Sequence, residues 1–84
     1  MKIAMAGSIE SNDVLITVQS SDETVIEISS IVDAFFHDQI EHVIKETLNE
    51  LNVKNVKVIC QDKGALDYTI KARLVTALSR MGDR

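Results

Sequence analysis

Val14, Ile16 and Val18 alternate with Leu15 and Thr17, and a period of two places successive side chains on opposite faces of a β-strand. Thr24 to Ser29 (TVIEIS) repeats the pattern, with Ile26 and Ile28 on one face and Val25 and Glu27 on the other. Ile3 to Ile9 reads as a weaker strand, interrupted by Gly7. The segments between these runs, Glu10-Ser11-Asn12-Asp13 and Gln19-Ser20-Ser21-Asp22-Glu23, are polar and rich in residues that accept turn geometry. The simplest expectation for this part of the chain is a meander of three antiparallel strands.

The period then changes. From Asp33 to Asn52 the pattern predicts a helix: Phe36, Ile40, Val43, Ile44, Leu48 and Leu51 fall on one arc of about 140°, with Thr47 among them. Glu41, Lys45, Glu46 and Asn49 lie outside the arc. Asp33 stands where an acid caps or favours the first turn, and Asn52 suits a C-terminal stop. Val53 to Cys60 returns to a strand, with Val56, Val58 and Cys60 inward, and Asp62-Lys63-Gly64 breaks it. A second helix runs from about Leu66 or Asp67 to Met81, with Leu66, Ile70, Leu74, Ala77, Leu78 and Met81 as its stripe. The order β-β-β-α-β-α, with two helices each apolar on one side, predicts a two-layer α+β sandwich. An antiparallel-rich sheet of about four strands would carry the two helices, in one domain over residues 1–84.

Composition narrows the function. At 84 residues the chain supports one modest core and no deep walled active site besides it, which favours a binding or carrier role over a self-sufficient enzyme. No apolar run is long enough to span a bilayer and the N-terminus lacks a leader's apolar stretch, so the expectation is a cytoplasmic protein that does not enter the membrane. The net charge of −4 disfavours nucleic acid. It is unevenly spread: residues 1–53 hold two lysines and ten acids (−8), residues 54–84 seven Lys or Arg and three acids (+4). The basic third can face an acidic partner or a phosphate, or be ordinary solvated surface.

Few residues offer chemistry. Ser11 sits at the centre of the turn Ile9-Glu10-Ser11-Asn12-Asp13-Val14. A turn presents its central side chain to solvent, and Asn12 is among the few non-glycine residues that accept a positive φ. Serine is also a common turn residue without any function, so position alone does not single it out. Both histidines lie on a helix far along the chain, so nothing local activates this hydroxyl, and Ser11 suits the substrate of another enzyme better than a nucleophile of its own. His37 and His42 are five apart, about 140° around a helix, and cannot hold a metal as an i, i+4 pair does; each has an acid one turn away, Glu41 and Asp38 respectively. Cys60, the lone cysteine, reads as a small buried hydrophobe with no evident base to make a thiolate. Lys63 and Gly64 precede a helix and could meet a phosphate there, although a glycine is common in any such turn. No catalytic set and no metal set emerges.

Two segments taken together resemble a known family. Ala6-Gly7-Ser8-Ile9-Glu10-Ser11-Asn12-Asp13 has the form A-G-[ST]-[LI]-E-S-x-D, and Asp62-Lys63-Gly64-Ala65-Leu66-Asp67, followed by Ala72-Arg73-Leu74, matches D-K-G-A-L-D and a helix containing A-R-L. Both are similar to the citrate lyase acyl carrier proteins, the gamma subunits; the malonate decarboxylase carriers are more distant. The resemblance spans essentially the whole chain. It implies that Ser11 carries a covalent 2′-(5″-phosphoribosyl)-3′-dephospho-CoA arm through a phosphodiester, unlike fatty-acid carriers with Asp-Ser-Leu at a helix start. It further implies a non-catalytic subunit whose arm bears acetyl and citryl thioesters. The alpha subunit would exchange acetyl for citryl, and the beta subunit would cleave citryl to oxaloacetate. A prosthetic-group transferase and an acetate:carrier ligase would be the other partners. Lys63, Lys71 or Arg73 would meet the arm's phosphates or an acidic partner face. The competing reading is a small α+β adaptor or regulatory module with no covalent group; a carrier of the malonate decarboxylase type is another.

Overall fold

The computed structural model describes residues 2–31 and 34–82. The elements follow the order β1 (Ile3–Gly7), β2 (Val14–Ser20), β3 (Val25–Ser30), α1 (Ala34–Glu50), β4 (Val56–Asp62) and α2 (Asp67–Met81). The four strands form one sheet in the order β1-β2-β4-β3, and the two helices pack on one of its faces, giving the two-layer α+β sandwich the pattern predicts.

The meander does not form. β1 pairs with β2 antiparallel, Ala6 opposite Ile16, as expected of a hairpin. The place beside β2 is taken by β4, antiparallel, with Ile16 opposite Cys60. β3 lies beyond β4 and runs parallel to it, Ile28 opposite Cys60. The sheet is therefore mixed, and α1 is the crossover that a parallel pair requires. Apolar content accounts for the order. Val14, Ile16, Val18, Val56, Val58 and Cys60 are all fully buried, so the strands bearing them take the centre. β3, which offers Glu27 and Ser29 to solvent, goes to the edge.

The core lies between sheet and helices. Ile40, Ile44 and Leu48 from α1 and Ile70, Leu74, Ala77, Leu78 and Met81 from α2 meet the inward residues of β2 and β4, with Ile26 and Ile28 packed at the margin. Thr47, on the apolar stripe, is buried and satisfied by donating its hydroxyl to the Val43 carbonyl at 2.8 Å. Among the described residues no buried side-chain nitrogen or oxygen lacks a partner. α1 ends as Asn52 predicts: with φ of 55°, its N–H reaches the Asn49 carbonyl and that of Val53 the Leu48 carbonyl, the two bonds of a Schellman motif. The expected cap at Asp33 lies outside the described residues. α2 closes on Gly82, also left-handed.

The predicted stripes depart from the core at one end. Phe36 is 49% exposed and Leu66 59%. Both belong to the first turn of their helix or the residue before it, where the stripe overruns the sheet. No helix among the described residues is long and apolar enough to cross a membrane.

Candidate functional site

The β1–β2 connection, residues 8–13, is built from its ends inward. Gly7 has φ of 98°, and a Cβ there would lie 1.8 Å from the Val14 carbonyl oxygen, so only glycine lets the two strands part this closely. The Ser8 N–H then donates to the Val14 carbonyl at 3.1 Å. The Ser8 hydroxyl donates to Asp13 Oδ2 at 2.8 Å and accepts from the Glu10 N–H at 3.2 Å. A four-residue turn follows, Glu10 to Asp13, closed by the Asp13 N–H on the Glu10 carbonyl. Its third residue, Asn12, has φ of 67°, the left-handed geometry that asparagine tolerates. Ser11 is the second residue of that turn and is exposed; its hydroxyl makes no hydrogen bond among the described residues.

This turn is not a free tip. The Asn12 N–H donates to the Lys63 carbonyl at 2.8 Å, and the Lys63 N–H to the Asp13 carbonyl at 2.9 Å, a two-bond ladder onto the β4–α2 connection. Gly64, at φ of 95°, places its missing Cβ 3.6 Å from Asn12 Oδ1. Below it, buried Asp62 accepts from the Ala65 N–H at 2.9 Å and from the Ser30 hydroxyl at 2.8 Å, fixing the second loop. The two separate motifs of the sequence are thus one structure, each holding the other.

Arg73 engages the turn directly. From the second turn of α2 its Nε and Nη2 donate to Asp13 Oδ1 and Oδ2 at 3.1 and 3.0 Å, a bidentate fork. With the Ser8 hydroxyl and the Val14 N–H as further donors, the carboxyl of Asp13 is held down at about 2. Arg73 is occupied in anchoring the turn, so its basic charge is matched within the chain. Lys71 is likewise paired, with Glu50 of α1 at 2.9 Å. Lys63, half-buried and beside the turn, makes no ion pair among the described residues. The charge of Arg73 does not by itself reveal this contact. The signal for its anchoring role is that the family motif supplies Asp13 as well as the arginine.

The remaining candidates lie elsewhere. Cys60 is fully buried, and burial, with the nearby charge of Asp62, pushes its thiol up to about 12, which removes thiolate chemistry. His42 pairs with Glu46 at 3.4 Å, one turn further along α1, and no ion pair joins it to Asp38 among the described residues. His37 lies 3.9 Å from its neighbour Asp38. His37, Asp38 and Glu41 bring ligand atoms within 4.8 Å of one another, but on an open helix surface where acidic groups gather without an ion. Asp67 does not cap α2 with its side chain; it accepts from Gln39 Nε2 of α1 at 2.7 Å. Its charge in the first turn already favours the helix's positive end, which leaves that end a poor phosphate site.

Comparison with known proteins agrees with this arrangement. The family model described as "ACP: Malonate decarboxylase delta subunit (MdcD)" matches residues 1–81. The citrate lyase acyl carrier protein of Halothermothrix orenii is 48% identical over 80 residues, covering 94% of this chain and 85% of that protein. The one from Streptococcus mutans is 49% identical over 79 residues, covering 92% and 78%. In solved structures, the fold is that of a chain in a Pseudomonas malonate decarboxylase hetero-tetramer (TM-score 0.82, 15% identity, covering 96% of this chain and 84% of that one). A Staphylococcus aureus RNase P protein is similar in fold as well, with a TM-score of 0.60 at 14% identity, covering 93% and 82%. The chain belongs to the family of citrate lyase acyl carrier proteins, and its role is that of a carrier.

Proposed function

We propose that this protein is the acyl carrier subunit of a citrate lyase complex and that Ser11 is the residue on which its prosthetic arm is built. The observation that carries the proposal is the exposed Ser11 hydroxyl, free of internal hydrogen bonds among the described residues, on a turn anchored from both sides. A modifying enzyme needs an accessible oxygen, and a tether needs a base that does not move.

The residues present fit the arm, 2′-(5″-phosphoribosyl)-3′-dephospho-CoA. Ser11 Oγ would hold it through a phosphodiester. Arg73 neutralises Asp13, which would otherwise repel the phosphate, and Lys63, whose backbone pairs with the turn, makes no ion pair among the described residues. Asn12 and Asp13 hold the turn through the Lys63 backbone. The arm supplies a thiol on which acyl groups travel between catalytic partners. The chain's own part is to bring that thiol to each partner at high effective concentration. The partners would be the transferase (alpha) and lyase (beta) subunits, with a prosthetic-group transferase and an acetate:carrier ligase preparing the carrier. A malonate decarboxylase carrier is the second reading, supported by the family model and the shared fold. The high identity to citrate lyase carriers favours citrate.

The test is intact-protein mass after co-expression with the prosthetic-group transferase. The wild-type chain should gain the mass of one arm and Ser11→Ala none. An unchanged wild-type mass would favour an adaptor with no covalent group.

A further inference from the structure

Of the seven large hydrophobic residues exposed among the described ones, five lie at the Ser11 end of the molecule: Ile9, Ile31, Phe36, Leu66 and Tyr68. Ile9 belongs to the turn loop itself. Ile31 is tied there by its N–H on the Asp62 carbonyl. The other three are concentrated in one recess of about 580 Å³, lined by Phe36, Gln39, Ala65, Leu66, Asp67 and Tyr68. Phe36 and Leu66 are the two stripe positions that miss the core, and Tyr68 beside them is 72% exposed. A second recess of about 410 Å³ shares Gln39, Asp67 and Tyr68 and continues along the seam between the helices to Lys71.

The recess starts close to the tether. Gly64 packs against Asn12, the residue after Ser11, and Leu66 is two residues further, at most about 7 Å of extended chain. Resting on the reading of Ser11 as the attachment point, we infer that this recess is the docking site of the arm's pantetheine portion between visits to partners; the phosphoribosyl and nucleotide parts lie between it and Ser11, so the arm doubles back onto a recess this near the turn. The chemistry matches. A pantetheine alternates hydrocarbon with amides; Phe36, Leu66 and Tyr68 offer the apolar wall, and the Gln39–Asp67 pair offers an acceptor and a donor along it. The volume lies within the range of small-molecule sites. Because the occupant is tethered, even weak contacts suffice: its effective concentration near the recess is millimolar or higher. Parking there removes the apolar patch from water and shields the acylated end.

Tyr68 makes this measurable, since the chain has one tyrosine and no tryptophan. Tyrosine emission and its quenching by acrylamide are read on apo protein and on holo protein whose mass shows one arm. Attachment should lower the quenching constant of Tyr68 by about twofold or more, as expected of a tethered ligand bound most of the time. Leu66→Asp should accept the arm with the same mass gain yet keep apo-like quenching. Equal quenching in apo and fully loaded wild type overturns the inference while leaving the Ser11 assignment intact. So does protection that persists in Leu66→Asp, or that arises only when catalytic subunits are added, which would make the recess a protein docking face. Failure of the arm to attach at Ser11 overturns both.

Discussion

Asp13 gathers the Arg73 fork, the Ser8 hydroxyl and the Val14 N–H, and this is where pH should act. Its carboxyl lies at about 2 against an ordinary 3.8. A lowered folded-state value stabilises the anchored turn fully above the unfolded value, and the effect fades as pH falls from about 4 toward 2. The backbone amides of Asn12 and Lys63, followed by NMR, should therefore lose protection from exchange across that acid window, and Asp13→Asn should remove the transition. Gly7 is the other residue on which the loop depends. Gly7→Ala forces a left-handed alanine, costing about 1–2 kcal/mol, and drives a methyl onto the Val14 carbonyl, so thermal unfolding should show a loss larger than that figure. Cys60 should behave oppositely to a reactive thiol. Native apo protein should give no fast reaction with a disulfide reagent near neutral pH, and holo protein one fast thiol, that of the arm; a fast-reacting apo protein would contradict its burial.

Among the elements, α1 and α2 were legible because their apolar stripes are long and contain Ile40, Ile44, Leu48, Leu74 and Leu78, all buried. Ile44→Ala or Leu74→Ala should cost about 2–5 kcal/mol in chemical denaturation. Strand existence was legible for the same reason, since period two is local. Strand order was not: nothing within TVIEIS states that its neighbour is β4 rather than β2, and the pairing depends on α1 carrying the chain across. The site was legible in part. Ser11 in a turn and Asn12 at positive φ follow from residue type, and the joint motif pointed to the family. The ladder between Asn12 and Lys63, the Arg73–Asp13 fork and buried Asp62 are contacts between distant segments, so charge and periodicity could not reveal them. Asp62→Ala should leave the Ala65 N–H without its side-chain acceptor, costing about 1–3 kcal/mol and loosening the loop that supports Ser11.

For the whole molecule, fold and function separate clearly. A similar sandwich occurs in a Staphylococcus aureus RNase P protein, so the fold by itself does not assign a role. In the proposed reading the layers are the mount, and the tether sits where two loops meet at one end of the sheet. As proposed, this mount holds an arm on one oxygen, that of Ser11. Fragmentation mass spectrometry of the loaded protein tests it most directly. The whole added mass should reside on a fragment containing Ser11 and on no other residue. An arm located on Ser8, on another hydroxyl or on Cys60 would contradict it.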